Sequence, residues 1–428
     1  MLNKIKETTQ KIFSNKDLRK KILFTSLIIF AFRVLASIPV SVADVNKIQS
    51  IFEGSDFLSF LNIFSGGTLI RFSIAAVGIN PYITASIVMQ LAGMVIPSIK
   101  ELQKEGESGQ MKVNQWTRMI AVPLALIQSI SVIALLKSQA LLYETSPLAL
   151  IAAVASLIAG AMVSMWLGEL ISEYGLGNGI SMIMFAGIIS QLPSVLAQVS
   201  FLIQIGQSST LIIFALLFVV LISLVVFMNE AVRKITVEYA KRIRGGRVLG
   251  GQKTHLPIRV NVAGVMPIIF ALSLMLVPSF LARIFISLSN ETLVSIGEWL
   301  MIWFDQSSLI YMLVYFMLVF IFTFFSAIIF FNAEDLSDEL KKSGAFVPGV
   351  RPGKATKEFL EFVVIRITFV GALFLGFIAL LPSVAQAVTG VESLAIGGTS
   401  VLIVVSVILE TAKQAESQLV GQDYEKYS

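Results

Sequence analysis

The 428-residue sequence contains no cysteine, so it has no disulfide, no thiolate metal site and no cysteine nucleophile. It has one histidine, His255, in a polar loop, which excludes a multi-histidine metal centre. Charge is scarce as well. Only 14% of residues are charged against 56% hydrophobic, and mean hydropathy is +0.85. A soluble chain of this length would not set so much apolar surface against so few charges.

The few charges are also placed where they exclude chemistry. No Asp or Glu falls in the centre of the first nine long apolar runs, and in the last run Glu410 and Lys413 sit in its final turns, so no midplane acid of an ion-coupled transporter is expected. Neither a Ser–His pair nor two aspartates occur within a run, which removes intramembrane proteolysis. "GRVLGGQKT" (246–254) approaches the phosphate-binding pattern G-x-x-x-x-G-K-[ST] but fails it. Gln252 separates Gly251 from Lys253, and no apolar strand is expected before it. "GLGNG" (175–179) reads as a tight turn, not a nucleotide loop. The sequence offers no catalytic constellation, so no enzyme and no cofactor are expected.

What it does offer is apolar length. Crossing a bilayer takes about 20 residues in a helix. Ten segments qualify: 22–40, 74–96, 117–136, 148–171, 179–196, 211–228, 262–284, 309–331, 362–381 and 399–419. They are continuous runs, not the alternating pattern of an outer-membrane barrel. The fold class expected is an all-α polytopic membrane protein of ten transmembrane helices. The N-terminal 1–21 reads as a basic amphipathic leader, and 420–428 as a tail. Most of the 32 Lys and Arg lie in the leader and in the loops after the even-numbered segments, whereas the opposite loops hold only Lys47, Lys137 and Arg283. That asymmetry predicts both termini in the cytosol. Arg33, inside the first segment, is explained by snorkelling to the outer face or by pairing with a neighbouring helix.

Several local features call for a use. Phe57, Leu58, Phe60, Leu61 and Phe64 before Gly66 and Gly67 form an apolar stretch too short to cross, and read as a re-entrant half-helix. Pro81 and Pro267 sit among Gly, Asn and Ser in the second and seventh segments and are expected to kink them. Gln90 and Asn261 add amides to the same two helices. An interface that opens and recloses suits this composition, and ordinary packing through small residues suits it equally. Ile79, Ile83, Ile188, Ile269 and Ile403 recur along the segments as core or lipid-facing residues, and a dry constriction is one further use for them. Two loops, 229–261 and 332–361, are long and basic. The second carries "KKSGAFVPGVRPGK" (341–354), broken by Pro348, Gly349, Pro352 and Gly353.

Six stretches carry a resemblance, in order along nearly the whole chain: "NIFSGGTLIRFSIAAVGINPYITASIVMQ", "KEGESG", "YGLGNGISMIMFAGII", "GGQKTHLPIRVNVAGVMPIIFA", "KKSGAFVPGVRPGK" and "GGTSVLIVVSVILETAKQAESQ". They resemble the SecY/Sec61-alpha family, the central subunits of protein-conducting channels. The resemblance implies two pseudo-symmetric halves, 22–202 and 203–419, around a central pore. It implies a plug at 57–67 and a pore ring of Ile79, Ile83, Ile188, Ile269 and Ile403. A lateral gate would lie between the second and seventh helices, marked by Gln90 and Asn261. Lys341, Lys342, Arg351, Lys354, Arg242, Arg244 and Arg247 would dock the SecA ATPase or the ribosome, including its RNA. Further implied partners are the small subunits SecE and SecG, an unfolded preprotein with its signal peptide, and membrane lipid, all at a bacterial plasma membrane. The chain departs from the family pattern at Val40–Val42, Asn80, Gln110–Met111 and Ala333.

Overall fold

A computed structural model describes residues 15–44, 47–48, 65, 67–138, 141–191, 193, 208–239, 242–244, 247–249, 253–262, 264, 266–286, 290–305, 308–389 and 393–425. The first half holds α1 (Lys16–Leu35), α2 (Asn80–Val95), α3 (Pro97–Lys104), α4 (Glu107–Ser138), α5 (Pro147–Tyr174) and α6 (Gly179–Ile189). Then come α7 (Ser208–Glu230), β1 (Val232–Tyr239), β2 (Arg242–Arg244), β3 (Arg247–Leu249), β4 (Lys253–Arg259) and α8 (Met266–Ile286). The chain continues through α9 (Glu291–Trp303), α10 (Leu309–Phe330), α11 (Ala333–Lys342), β5 (Ala345–Phe346), α12 (Lys354–Thr389) and α13 (Ser393–Glu425).

Each of the ten apolar segments carries one of these helices. By length and composition, Ser108–Lys137, Pro147–Tyr174, Leu309–Lys342 and Lys354–Val384 are long enough to cross a bilayer. Shorter apolar helices run at Gly179–Ile189, Ala215–Glu230 and Met266–Met275. Side-chain caps start several helices, among them α1, α5, α6, α9, α10 and α11. Asn178 Oδ1 accepts from the amides of Ile180 and Ser181, which starts α6 directly after the Gly175–Gly177 turn.

The two expected kinks are not where the sequence placed them. Pro81 and Pro267 each fall in the first turn of their helix, α2 and α8. A proline there lacks an N–H that the helix would leave unbonded anyway, so it starts a helix and does not bend one. The interior prolines are Pro123, Pro278 and Pro382 instead. The second segment also becomes helical late, at Asn80, because residues 68–79 are spent on turns. Those turns are pinned to the chain leaving α1, with Ile74 N donating to Ile38 O at 2.9 Å and Val40 N to Phe72 O at 2.9 Å. Helix α5 presses on the same place through Gly160, where an added Cβ would stand 2.0 Å from Ile74 O. Gly160→Ala is therefore expected to cost about 1–3 kcal/mol by overpacking. A lower unfolding temperature in detergent checks it.

One apolar core joins the helices. It runs from Ile28 and Phe32 of α1 through Ile83 of α2, Leu157 of α5, Ile183 of α6, Ile269 of α8 and Tyr315 of α10 to Leu402 of α13. A second, separate core lies under a three-stranded sheet of order β4-β1-β5. Strand β1 alternates as a half-buried strand must. Ile235 and Val237 are buried while Thr236 and Glu238 are not. It pairs antiparallel with β4 from Val232↔Arg259 to Glu238↔Lys253, and that last pair is bridged by a 2.9 Å salt bridge.

The strand β5 comes from the other long loop. Ala345 and Phe346 pair with Tyr239 and Glu238, and Val347 is 5% exposed. The stretch 341–354 is thus not simply part of a loop. Lys341 and Lys342 end α11, Ala345–Phe346 extend the sheet, and Lys354 begins α12. Val347→Asp would bury an unpaired carboxylate, a loss of about 3–5 kcal/mol. Faster cleavage of both loops by a protease, with the apolar helices still protected in vesicles, is the expected readout.

Candidate functional site

All five sequence-selected isoleucines are deeply buried. Ile79, Ile83, Ile188, Ile269 and Ile403 are at most 7% exposed and belong to the same apolar core. They come from the turn before α2 and from α2, α6, α8 and α13, so the fold gathers residues from distant parts of the chain. Asn80, next to Ile79, keeps a buried Oδ1 that accepts no hydrogen bond.

Gln90 and Asn261 lie at two helices that touch, since α2 packs against α8. Yet each amide bonds within its own half. Gln90 Nε2 donates to Ser86 Oγ at 3.3 Å on the same helix. Asn261 Nδ2 donates to Asn229 Oδ1 at 2.9 Å and to Gly264 O at 3.0 Å. The carbonyl oxygens Gln90 Oε1 and Asn261 Oδ1 are both buried and accept nothing. Leaving such an acceptor unsatisfied costs about 1–3 kcal/mol.

Asn261 belongs to a polar network that the sequence reading did not foresee. Asn229 Nδ2 donates to Ser406 Oγ at 3.0 Å, and Lys413 Nζ donates to Asn229 O at 3.0 Å. Lys413 also pairs with Glu230 at 2.8 Å. The network borders a cavity of about 240 Å³ lined by Ser181 of α6, Arg259 at the end of β4, Asn261, and Ser406, Glu410 and Lys413 of α13. Its bonds join residues up to 184 positions apart, so no local motif signals it. Asn229 and Asn261 at the edges of apolar runs, and Ser406 within one, are the hint the sequence holds.

The basic residues divide between two sheets. Arg242, Arg244 and Arg247 lie on the antiparallel pair β2–β3, which among the described residues forms a sheet of its own. Lys341, Lys342, Arg351 and Lys354 are exposed around β5. The backbone at Arg351 is fixed from both sides. Gly349 and Gly353 take φ of +82° and +97°, a region that suits glycine, and Thr356 Oγ1 donates to Arg351 O at 2.9 Å. Ser337 Oγ donates to Gly353 O at 2.8 Å, tying the turn to α11. Lys357 donates to Glu334 at 2.8 Å, and this bond raises the Lys357 ammonium above its ordinary value. Ala333, where the family has proline, is the first residue of α11, capped by Asn332. Proline also suits that position, so the departure leaves the helix start unchanged.

The half-helix residues Phe57, Leu58, Phe60, Leu61, Phe64 and Gly66 lie outside the described residues, whereas Gly67 is described, with φ of +77°. Within the motif at 246–254, the short strand β3 runs up to the glycines at 250–251, and the element before the motif is β2, Arg-Ile-Arg, so among the described residues no apolar strand precedes it. The next element after those glycines is strand β4 and not a helix, so no helix N-terminus is present there to hold a phosphate.

Apolar helices around one core, crossed by polar amides and flanked by a basic sheet, define a polytopic helical membrane protein. A family model described as SecY matches residues 73–412. The protein translocase subunit SecY of Mycobacterium tuberculosis (strain ATCC 25618 / H37Rv) is 40% identical over 433 residues, 96% of this chain and 97% of that one. That of Streptomyces scabiei is 40% identical, covering 97% and 98%. Among solved structures, a protein conducting channel aligns with a TM-score of 0.66 at 18% identity, over 93% of this chain and 92% of the other. A SecY protein whose plug domain stabilises the closed state of its translocation channel aligns at 0.63 and 17%, over the same shares. The chain belongs to the SecY family. It is a protein translocase subunit with a channel fold, and not an enzyme.

Proposed function

We propose that this chain forms the pore through which unfolded secretory proteins cross a bacterial plasma membrane, and from which hydrophobic segments leave sideways into lipid. Its family membership over residues 73–412 carries the reading. The halves 22–202 and 203–419 act as two jaws, with the termini and both basic loops in the cytosol. Ile79, Ile83, Ile188, Ile269 and Ile403 serve as a gasket. Branched aliphatic side chains close around an extended chain and exclude water, which opposes ion leakage. Residues 57–67 serve as the plug.

The gate opens between α2 and α8. Among the described residues, Gln90 and Asn261 bond within their own halves and not to each other, so the two amides do not lock the helices together. A sufficiently apolar segment compensates by entering lipid at about 25 cal/mol per Å² of apolar surface. The sequence offers no nucleotide site of its own, so the work comes from SecA or from the translating ribosome, docked on Arg351 and its basic neighbours. A canine Sec61 seen in a ribosome-channel complex aligns with a TM-score of 0.60, which supports the same architecture. SecE and SecG complete the assembly.

Reconstitution tests the reading. Liposomes holding this chain with its small subunits, SecA, ATP and a preprotein are expected to yield protease-protected preprotein. Uptake of a small solute with no motor, and no protected preprotein, would sink it in favour of a secondary transporter.

A further inference from the structure

We infer that the cavity between α6, α8 and α13 receives the basic N-terminal stretch of an incoming signal sequence, with Glu410 as the carboxylate that selects it. The inference rests on the channel reading above. Its geometry begins with two helix faces. Ser181 stands seven residues before Ile188 on α6, and Glu410 seven after Ile403 on α13. Seven residues are just short of two turns, so each pair shares a face, with the polar member about 10 Å along the axis. Both helices run so that this displacement points to the cytosol. The cavity therefore lies one step to the cytosolic side of the isoleucines, in the path of a chain about to enter them.

The charges around the cavity are not equivalent. Lys413 is neutralised by Glu230 at 2.8 Å and held by Asn229 O at 3.0 Å. Among the described residues, Arg259 and Glu410 both line the cavity, and the Arg259 charge acts on Glu410 without a salt bridge closing between them. Glu410 is thus an acceptor whose facing cation is not bound to it. Asn261, 7% exposed, adds Oδ1, a second acceptor that receives nothing. Two waiting acceptors suit a group that only donates, namely the ammonium of lysine or the guanidinium of arginine. Arg259 is the one opposing cation, and it is exposed enough to swing into water.

The chemistry of a signal sequence matches this arrangement. It has a positively charged stretch followed by an apolar run of about 7–15 residues. Asn261 stands just before α8, the gate helix, and also lines the cavity. When the apolar run leaves between α2 and α8, the residues preceding it remain beside Asn261 and Glu410. The gate then reads the apolar part while the cavity reads the charge.

A charge exchange tests this in vesicles holding the full complex. Two preproteins are compared that differ only in two signal-sequence residues, lysines in one and glutamates in the other. Wild type is expected to favour the lysine form. Glu410→Lys is expected to lower its translocation about tenfold and to raise that of the glutamate form. Glu410→Gln, nearly isosteric, should lose the discrimination with little effect on accumulation, and it decides the matter if the lysine variant fails to fold. Equal loss for both preproteins, no change for either, or a wild-type preference for glutamate would overturn the inference, the last pointing to Arg259 as the reader. A wild-type chain that passes neither preprotein overturns the channel reading itself, and this inference with it.

Discussion

Arg351→Glu is expected to lower motor-driven translocation about tenfold or more, while the protein still inserts into the membrane at normal levels. Placing like charges together at a docking surface costs several kcal/mol. Each 1.4 kcal/mol is about a tenfold loss of affinity. Arg351 is exposed, so its side chain holds up nothing inside the fold. The turn that presents it is held by main-chain and hydroxyl contacts. Val350 N donates to Val347 O at 3.0 Å, and Thr356 Oγ1 to Arg351 O at 2.9 Å. Neither bond involves the guanidinium. The charge can therefore be reversed on an unchanged backbone, which makes the experiment a test of docking and not of stability. Arg351→Gln should have a smaller effect, one that shrinks further at high salt as charges are screened over about 8 Å. Full translocation by the glutamate variant would reduce the region to a connecting turn.

The second large effect concerns the isoleucines. Replacing Ile83 and Ile403 together with glycine is expected to raise ion conductance across a planar bilayer well above that of wild type. Both side chains are almost wholly buried, at 4% and 1% exposure. Each truncation forfeits about 2–5 kcal/mol of packing. Glycine adds about 1 kcal/mol of helix cost at each site. Ile28→Ala supplies the control, because Ile28 is 6% exposed in the same core but lies on α1, outside the proposed ring. It should lower stability without opening a path for ions. Leak from the control, or none from the double variant, would leave these isoleucines as ordinary core.

How much of this was legible beforehand differs by element. The apolar helices were, because a hydrocarbon environment demands long uninterrupted runs and nothing else produces them. The positions of Ile83 and Ile403 within such runs were equally plain, but not that they share one core, since 320 residues separate them in the sequence. Pro81 and Pro267 were misjudged for a local reason. A proline bends a helix only from its interior, and where a helix starts depends here on the turns at 68–79 and their bonds to the chain after α1. The basic sheet went unread although "VRKITVEY" alternates as a strand does. Its neighbours were charged enough to pass for a loop, and its third strand, Ala345–Phe346, is two residues long and comes from elsewhere in the chain. The Asn229–Asn261–Ser406–Lys413 network was invisible because each link is nonlocal.

The union of two loops in one sheet has a mechanical consequence. Strand β4 ends at Arg259, and α8 begins at Met266, with Asn261 anchored between them. Strand β5 leads through Arg351 into α12. A load applied at Arg351 is thus shared through β5 and β1 with β4, and delivered by a tether of a few residues to the foot of α8. The sheet works as a yoke. On the proposed reading, tugging on the surface around Arg351 also applies torque to α8.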